Sequence, residues 1–256
     1  MFTKEISMKK TLICAAIFYA GNVLAQTPAG EKIKPFTMDG EFGFIATTGN
    51  TETTSLKGKL AAQQELEQWS NDFLVEALYK KDDVTLADDT TVSQTTAQKY
   101  FLSGQANYKL TNPDHRLFGF ASYEDDRFSS FNYQSTVAVG WSQKLWDNET
   151  TKFEYSVGPG YSFAETADGE DADSFIVRGA LGFNWKISET ALFKQVMSSE
   201  VGEDNTKSKS ETSLSAKING SLSMKLSLTF DHNSNVDGDT EKLDTQTAMT
   251  MVYTFF

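Results

Sequence analysis

The sequence predicts an all-β fold: a transmembrane, antiparallel, up-and-down β-barrel of about twelve strands, with ten or fourteen as alternatives. Three observations predict it. Apolar and polar residues alternate with a period of two through nearly everything after Thr37. Tight turns and longer polar loops succeed one another between the alternating segments. Charged side chains gather on one face of each segment and avoid the other.

The chain opens on a segment of a different kind. Residues 1–25 read as a secretory signal peptide, with Lys4, Lys9 and Lys10 in a positive n-region and an apolar stretch from Thr11 to Leu24 broken by Gly21 and Asn22. Val23-Leu24-Ala25 sets small residues before Gln26, where cleavage is expected, and the apolar run is too short for a membrane-spanning helix. Met8 offers a second start with a normal n-region of its own. The single cysteine, Cys14, lies inside this segment. The processed chain would therefore hold no disulfide, thiol nucleophile or cysteine metal site. Residues 26–36 are expected to form a short periplasmic segment and residues 37–256 the barrel.

Removing the signal takes away three lysines and Glu5, so the formal net charge moves from −12 to −14. An acidic chain without a basic stripe repels phosphate backbones, which argues against nucleic acid as a partner. No later stretch has the apolar length of a membrane helix.

Side chains on a strand point alternately to opposite faces, so a period of two marks a strand with one apolar side. Thr151 to Phe163 illustrates it: Phe153, Tyr155, Val157, Pro159, Tyr161 and Phe163 share one face, and Lys152, Glu154, Ser156 and Ser162 the other. Strands are expected near Thr37–Thr48, Thr53–Leu66, Asn71–Lys81, Gln94–Leu110, Arg116–Arg127 and Tyr133–Leu145. Six more follow near Thr151–Ala164, Ser174–Ile187, Ala191–Val201, Ser208–Asn219, Ser221–Asp231 and Leu243–Phe256. Most match or exceed the ~9–11 residues that a tilted strand needs to cross a bilayer. Ala191–Val201 and the first segment alternate poorly, which keeps the counts of ten and fourteen open.

Tight turns are expected at Gln68-Trp69-Ser70, Asn112-Pro113-Asp114, Trp146-Asp147-Asn148, Ser188-Glu189-Thr190 and Asn219-Gly220. Longer loops are expected at Asp82–Ser93, Glu124–Asn132, Glu165–Asp173, Gly202–Lys207 and His232–Lys242. Short periplasmic turns opposite longer external loops would produce this alternation, and an even strand count would leave both termini periplasmic.

A charge facing lipid at mid-bilayer costs ~2–4 kcal/mol, so the charged face of each strand should look into the lumen. The residues so assigned are Lys57, Lys59, Glu76, Lys80, Lys99, Glu154, Arg178, Lys186, Lys209, Glu211, Lys217 and Lys225. Aromatics near the segment ends, among them Trp69, Tyr108, Trp146, Trp185, Tyr253 and Phe255, have the placement of interfacial girdles. An aromatic last strand suits delivery by the barrel assembly machinery, although the alternation ends at Phe255 rather than at the terminal Phe256.

Three stretches carry a family resemblance: Thr48-Gly49-Asn50-Thr51-Glu52-Thr53, Ala121-Ser122-Tyr123-Glu124-Asp125-Asp126-Arg127-Phe128, and Gly158-Pro159-Gly160-Tyr161. In this order and spacing the chain resembles the YdiY-like family of salt-induced outer-membrane proteins, a domain family of unassigned function. Tyr133 and Gln134 stand where that family often carries an arginine. The resemblance implies an outer-membrane barrel in a Gram-negative envelope, with a link to salt or acid stress, and it implies no catalytic residue or cofactor.

Two candidate sites remain. His115 and His232 are the only histidines, and neither is expected to face a nucleophile: His115 follows a turn, and Asp231 and His232 would point to opposite faces. An outer-membrane hydrolase is therefore the outlying reading, and the chain is expected not to be an enzyme. The loop acids Asp168, Glu170, Asp171, Asp237 and Asp239 are candidate ligands for divalent cations shared with lipopolysaccharide phosphates, but they lack the full ligand order of a calcium loop. The main expectation is a narrow, weakly cation-preferring channel among outer-membrane lipid and lipopolysaccharide. The alternative is a closed structural or interaction barrel acting through its acidic loops. Protein recovered from membranes is expected to begin at Gln26; an intact mass that retains Cys14 would contradict the processing and the cysteine-free reading together.

Overall fold

A computed structural model of the protein describes residues 35–47, 53–85, 91–236 and 241–255; the expected signal peptide and Thr48–Glu52 lie outside the described residues. Twelve strands follow in chain order: β1 (Phe36–Thr47), β2 (Thr53–Glu65), β3 (Trp69–Thr85), β4 (Thr91–Lys109), β5 (His115–Asp126), β6 (Phe131–Asp147), β7 (Thr151–Thr166), β8 (Ser174–Lys186), β9 (Ala191–Gly202), β10 (Thr206–Lys217), β11 (Leu222–Asn233) and β12 (Leu243–Thr254). Each pairs antiparallel with its sequence neighbours, and β1 pairs with β12 to close the barrel. Twelve is thus the count, and the alternatives of ten and fourteen fall away. Closure leaves no free sheet edge except where a ladder stops short.

The turns at one end are set locally. Asn112 accepts from the Asp114 N–H, Asn148 from those of Thr150 and Thr151, Ser188 from Thr190 and Ala191, and Asn219 from Ser221 and Leu222. Short polar side chains that capture the backbone of the next residues fix a tight reversal. This is the turn end. The opposite, loop end departs from expectation. The segment Asp82–Ser93 is largely strand, because Asp82, Asp83, Val84 and Thr85 stay paired to Gln94, Ser93, Val92 and Thr91 beyond a bulge at Lys80/Lys81. Gly202–Lys207 tightens to a reversal closed by Gly202 N–H on Asn205 O, and Glu124–Asn132 to one with Ser129 N–H on Asp126 O. Strand-forming Val, Thr and Ser residues continue the ladders where polarity alone suggested loops.

The two faces of the sheet differ as the alternation requires. Leu226, Met249 and Val139 are exposed on the outer face, whereas their neighbours Lys225, Ser227, Thr250 and Ala138 are buried on the inner one. A continuous exposed apolar surface of this kind calls for lipid. Rings cluster at the turn end, with Trp69 against Tyr108 (5.1 Å), Trp146 against Phe153 (5.3 Å) and Tyr253 against Phe255 (5.0 Å). Tyr161 packs on Phe163 and Phe175 toward the loop end. The barrel has an apolar belt between two aromatic rims.

Two local features shape the wall. Where β6 meets β7, a Cβ on Gly140 would stand 2.3 Å from Val157 O, and one on Gly158 would stand 2.0 Å from Val139 O. Only glycine permits that approach. The seam between β1 and β12 is short: the ladder runs from Asp39↔Thr254 to Phe42↔Met251, while β1 stays paired to β2 as far as Thr47↔Thr53. Leu226→Arg is expected to destabilise the folded barrel by ~2–4 kcal/mol, measured by denaturant titration in lipid vesicles. Gly158→Val is expected to prevent closure of the β6–β7 wall, read as loss of the heat-sensitive fast-migrating band on gels.

Candidate functional site

The inner wall holds the chemistry. Strand register sends one residue in two inward, and twelve strands leave a lumen wider than the filled eight-stranded barrel but narrower than the open sixteen-stranded porin. Long charged side chains can therefore meet across it. Lys59 of β2 lies 2.9 Å from Glu211 of β10, with β1, β12 and β11 between them in the ring. Lys225 bridges Glu211 and Glu41 at 2.8 Å each, and Thr250 donates to the other Glu41 oxygen at 2.7 Å. Glu76 of β3 faces Lys57 at 3.5 Å and Lys209 of β10 at 3.8 Å.

A second tier lies nearer the loop end. Lys99 of β4 meets Asp231 of β11 at 2.9 Å, Glu124 at 3.3 Å and Asp126 at 3.5 Å. Lys207 reaches from β10 to Glu124 at 2.8 Å and donates to Gln134 at 2.8 Å. Arg178 stacks 3.6 Å above the Phe120 ring and pairs with Glu200 at 3.4 Å, and Glu200 also accepts from Thr136. Lys59–Glu211, Lys209–Glu76, Lys225–Glu41, Lys99–Asp231 and Lys207–Glu124 join strands that share no ladder, whereas the other ion pairs lie between neighbouring strands. The former act as crossbars, and they divide the lumen into narrow spaces. One hollow is lined by Phe131, Gln134, Ile176, Glu200 and Lys207, and another by Lys57, Leu78, Gln246 and Thr250.

Of the residues assigned to the lumen from sequence, Lys57, Lys59, Glu76, Lys99, Arg178, Lys209, Glu211 and Lys225 lie in these tiers. Lys80 pairs with Asp82 (2.7 Å) toward the loop end, and Glu154 is 3.8 Å from buried Arg116 toward the turn end. Lys186 and Lys217 lie exposed at the turn-end limits of β8 and β10. Sequence reasoning missed Glu41, Arg116, Glu124, Glu200 and Lys207. Strand parity alone could have found Glu41 and Arg116, which alternate with apolar neighbours. It also missed Lys194, which faces the lumen opposite Ser213 and has no ion pair among the described residues.

The loop acids do not converge on a common ligand position. Asp168, Glu170 and Asp171 are exposed around Gly169, whose φ of 83° makes the turn, and among the described residues no three His, Cys, Asp or Glu side chains converge as a metal site would need. Asp173 instead accepts the Ala164 N–H at 3.1 Å. Asp237 and Asp239 lie outside the described residues. The histidines are apart as well: His115 lies against Trp141 at 5.1 Å, and His232 is paired opposite Leu243 on the outer face while Asp231 turns inward to Lys99. No base faces a nucleophile among the described residues.

Comparison with known proteins agrees with the resemblance read from the three motifs. The family described as "Protein of unknown function, DUF481" matches residues 40–255. The uncharacterized protein YdiY of Escherichia coli (strain K12) is 25% identical over 227 residues, covering 88% of this chain and 85% of that protein. Among solved structures, an outer-membrane channel from Pseudomonas putida F1 aligns with a TM-score of 0.49 at 8% identity, over 90% of this chain and 100% of that one. The NanC porin aligns with a TM-score of 0.48 at 10% identity, over 84% and 98%.

Lys225 shows how far the crossbars change an expectation. On alternation alone Lys225→Leu should be nearly neutral, since a lumenal charge in water contributes little. Buried between two carboxylates, its loss leaves Glu41 without its cation and Glu211 with Lys59 alone, and the expected cost is about 2–5 kcal/mol. Unfolding of Lys225→Leu, Glu211→Gln and the double variant in vesicles checks this; strict additivity would deny the pairing.

Proposed function

The chain belongs to the DUF481 family, and from that premise we propose that it is a narrow outer-membrane channel for small ions, weakly cation-preferring, serving the envelope in salt or acid stress. The single observation that carries the narrowness is the set of cross-lumen pairs Lys59–Glu211, Lys209–Glu76, Lys99–Asp231 and Lys207–Glu124. Each takes a cation and a carboxylate from distant strands and places them where a bulky solute would have to pass. Small ions can move along such a lumen by exchanging with the paired groups. Lys194 adds a cation with no ion pair among the described residues, so the lumen itself supplies little preference for cations.

The preference is assigned to the loop end. Glu165, Asp168, Glu170, Asp171 and Asp173 crowd one reversal of the barrel rim there. Such a cluster concentrates cations at the mouth, an effect that fades as salt screens the field over ~10 Å at 0.1 M. In this reading the turn end and both termini face the periplasm, the acidic rim lies among lipopolysaccharide, and delivery is by the barrel assembly machinery. The stress role rests on the family resemblance. The same crossbars favour a second reading, a closed barrel that acts only through its outer loops.

Planar-bilayer recording separates the two. Small unitary currents are expected, with a cation-preferring reversal potential across a salt gradient that weakens at high salt. Neutralising the five rim acids together should reduce the preference without abolishing the current. A folded protein without channel events points to the closed barrel, and anion preference assigns control to the lumenal lysines.

A further inference from the structure

We propose that the loop-end half of the β1–β12 seam is a lateral portal, through which an acyl chain of a bilayer lipid enters the wall while its polar head reaches Lys57 and Gln246. The ladder stops at Phe42↔Met251 although both strands continue: β1 to Thr47 on its β2 side, and β12 to Leu243 on its β11 side. Gly43–Thr47 therefore have no register partner on β12, and Gln246–Thr250 none on β1, and no ladder among the described residues takes up their seam-side peptide groups. Hydrocarbon cannot satisfy such groups, so a spanning barrel does not leave them against lipid tails without another polar partner.

What lies at the gap is a hollow. Gly43, Ser55, Lys57, Leu78, Gln246, Thr247, Ala248, Met249 and Thr250 line it, drawing on both faces of the sheet: Met249 and Thr247 look outward, and Lys57 and Gln246 look inward. The outer rim is apolar, with Phe42, Phe44 and Met249 each more than half exposed. Behind it, Lys57 Nζ donates to Gln246 Oε1 at 3.2 Å and Thr250 Oγ1 to Glu41 Oε1 at 2.7 Å, closing the lumenal side with side-chain contacts in place of a ladder. An apolar rim leading to an ammonium and an amide fits an amphiphile. The belt beside the rim faces the bilayer, which makes a membrane lipid the occupant.

The test uses the full barrel folded into vesicles of phosphatidylcholine and phosphatidylglycerol. Benzoylphenylalanine at Ser55, in the hollow, is expected to capture lipid on illumination, read as an adduct by mass spectrometry. The same probe at Ser198, on the lumenal face of β9, is expected to capture none. A Gly43→Cys/Thr250→Cys disulfide should abolish the Ser55 adduct, and reduction should restore it. Capture at both positions, capture that survives the disulfide, or no capture at Ser55 in folded protein overturns the portal. Hydrogen exchange of the unsubstituted barrel provides a check free of substitutions. Gln246–Thr250 should exchange faster than the fully paired Leu222–Phe230, and equal protection overturns the open seam.

Discussion

A charge cannot rest against lipid tails, and this constraint organises the molecule. Because side chains alternate along every strand, one choice of face for Leu226 commits Lys225 and Ser227 to the other. Repeated around twelve strands, it drives all long charged side chains of the belt into a lumen too narrow to hydrate each one separately. They satisfy one another instead. Glu211 takes Lys59 and Lys225, and Glu124 takes Lys99 and Lys207. The crossbars follow from the exclusion of charge from lipid combined with a fixed circumference, so the narrowing of the lumen and lipid compatibility have one origin.

The fold was legible because alternation is a local property. Phe153 through Phe163 announce their outer face without reference to any partner. β9 was harder for a physical reason: its outward residues include Gln195 and Ser199, which are polar. Gln195 is satisfied on that face by Ser210 and Thr212 of β10, and Ser199 by Ser208. Val196 meanwhile turns inward opposite Glu211. Lateral hydrogen bonds allow a strand to invert the usual pattern, and composition cannot reveal them. The loop ends failed differently, since Val84 and Thr85 stay in a ladder that only their partners Val92 and Thr91 make visible.

The site was legible in part. Parity identified which residues look inward, including Lys59, Glu76, Lys209 and Glu211. It could not say which meet, because Lys209 and Glu76 are strangers in sequence and come together only when the ring closes. Nor could parity weigh Lys225, whose two carboxylate partners sit on β1 and β10. The loop acids were overvalued for the converse reason. Closeness in sequence around Gly169 suggested a shared ligand, whereas in space Asp173 is occupied with a backbone N–H and its neighbours point to solvent.

The side-chain-capped turns have a kinetic consequence. Asn112, Asn148, Ser188 and Asn219 each bind the backbone within three residues, so their hairpins can find register before any distant strand arrives. Hairpins of this kind form in about 1–10 μs in isolation, and contacts between chain neighbours carry a small loop-closure cost. One pairing has no such advantage: Asp39 must find Thr254, 215 residues away. The assembly order is therefore written into the turns, with ring closure as the slow step and its partners the last to be protected.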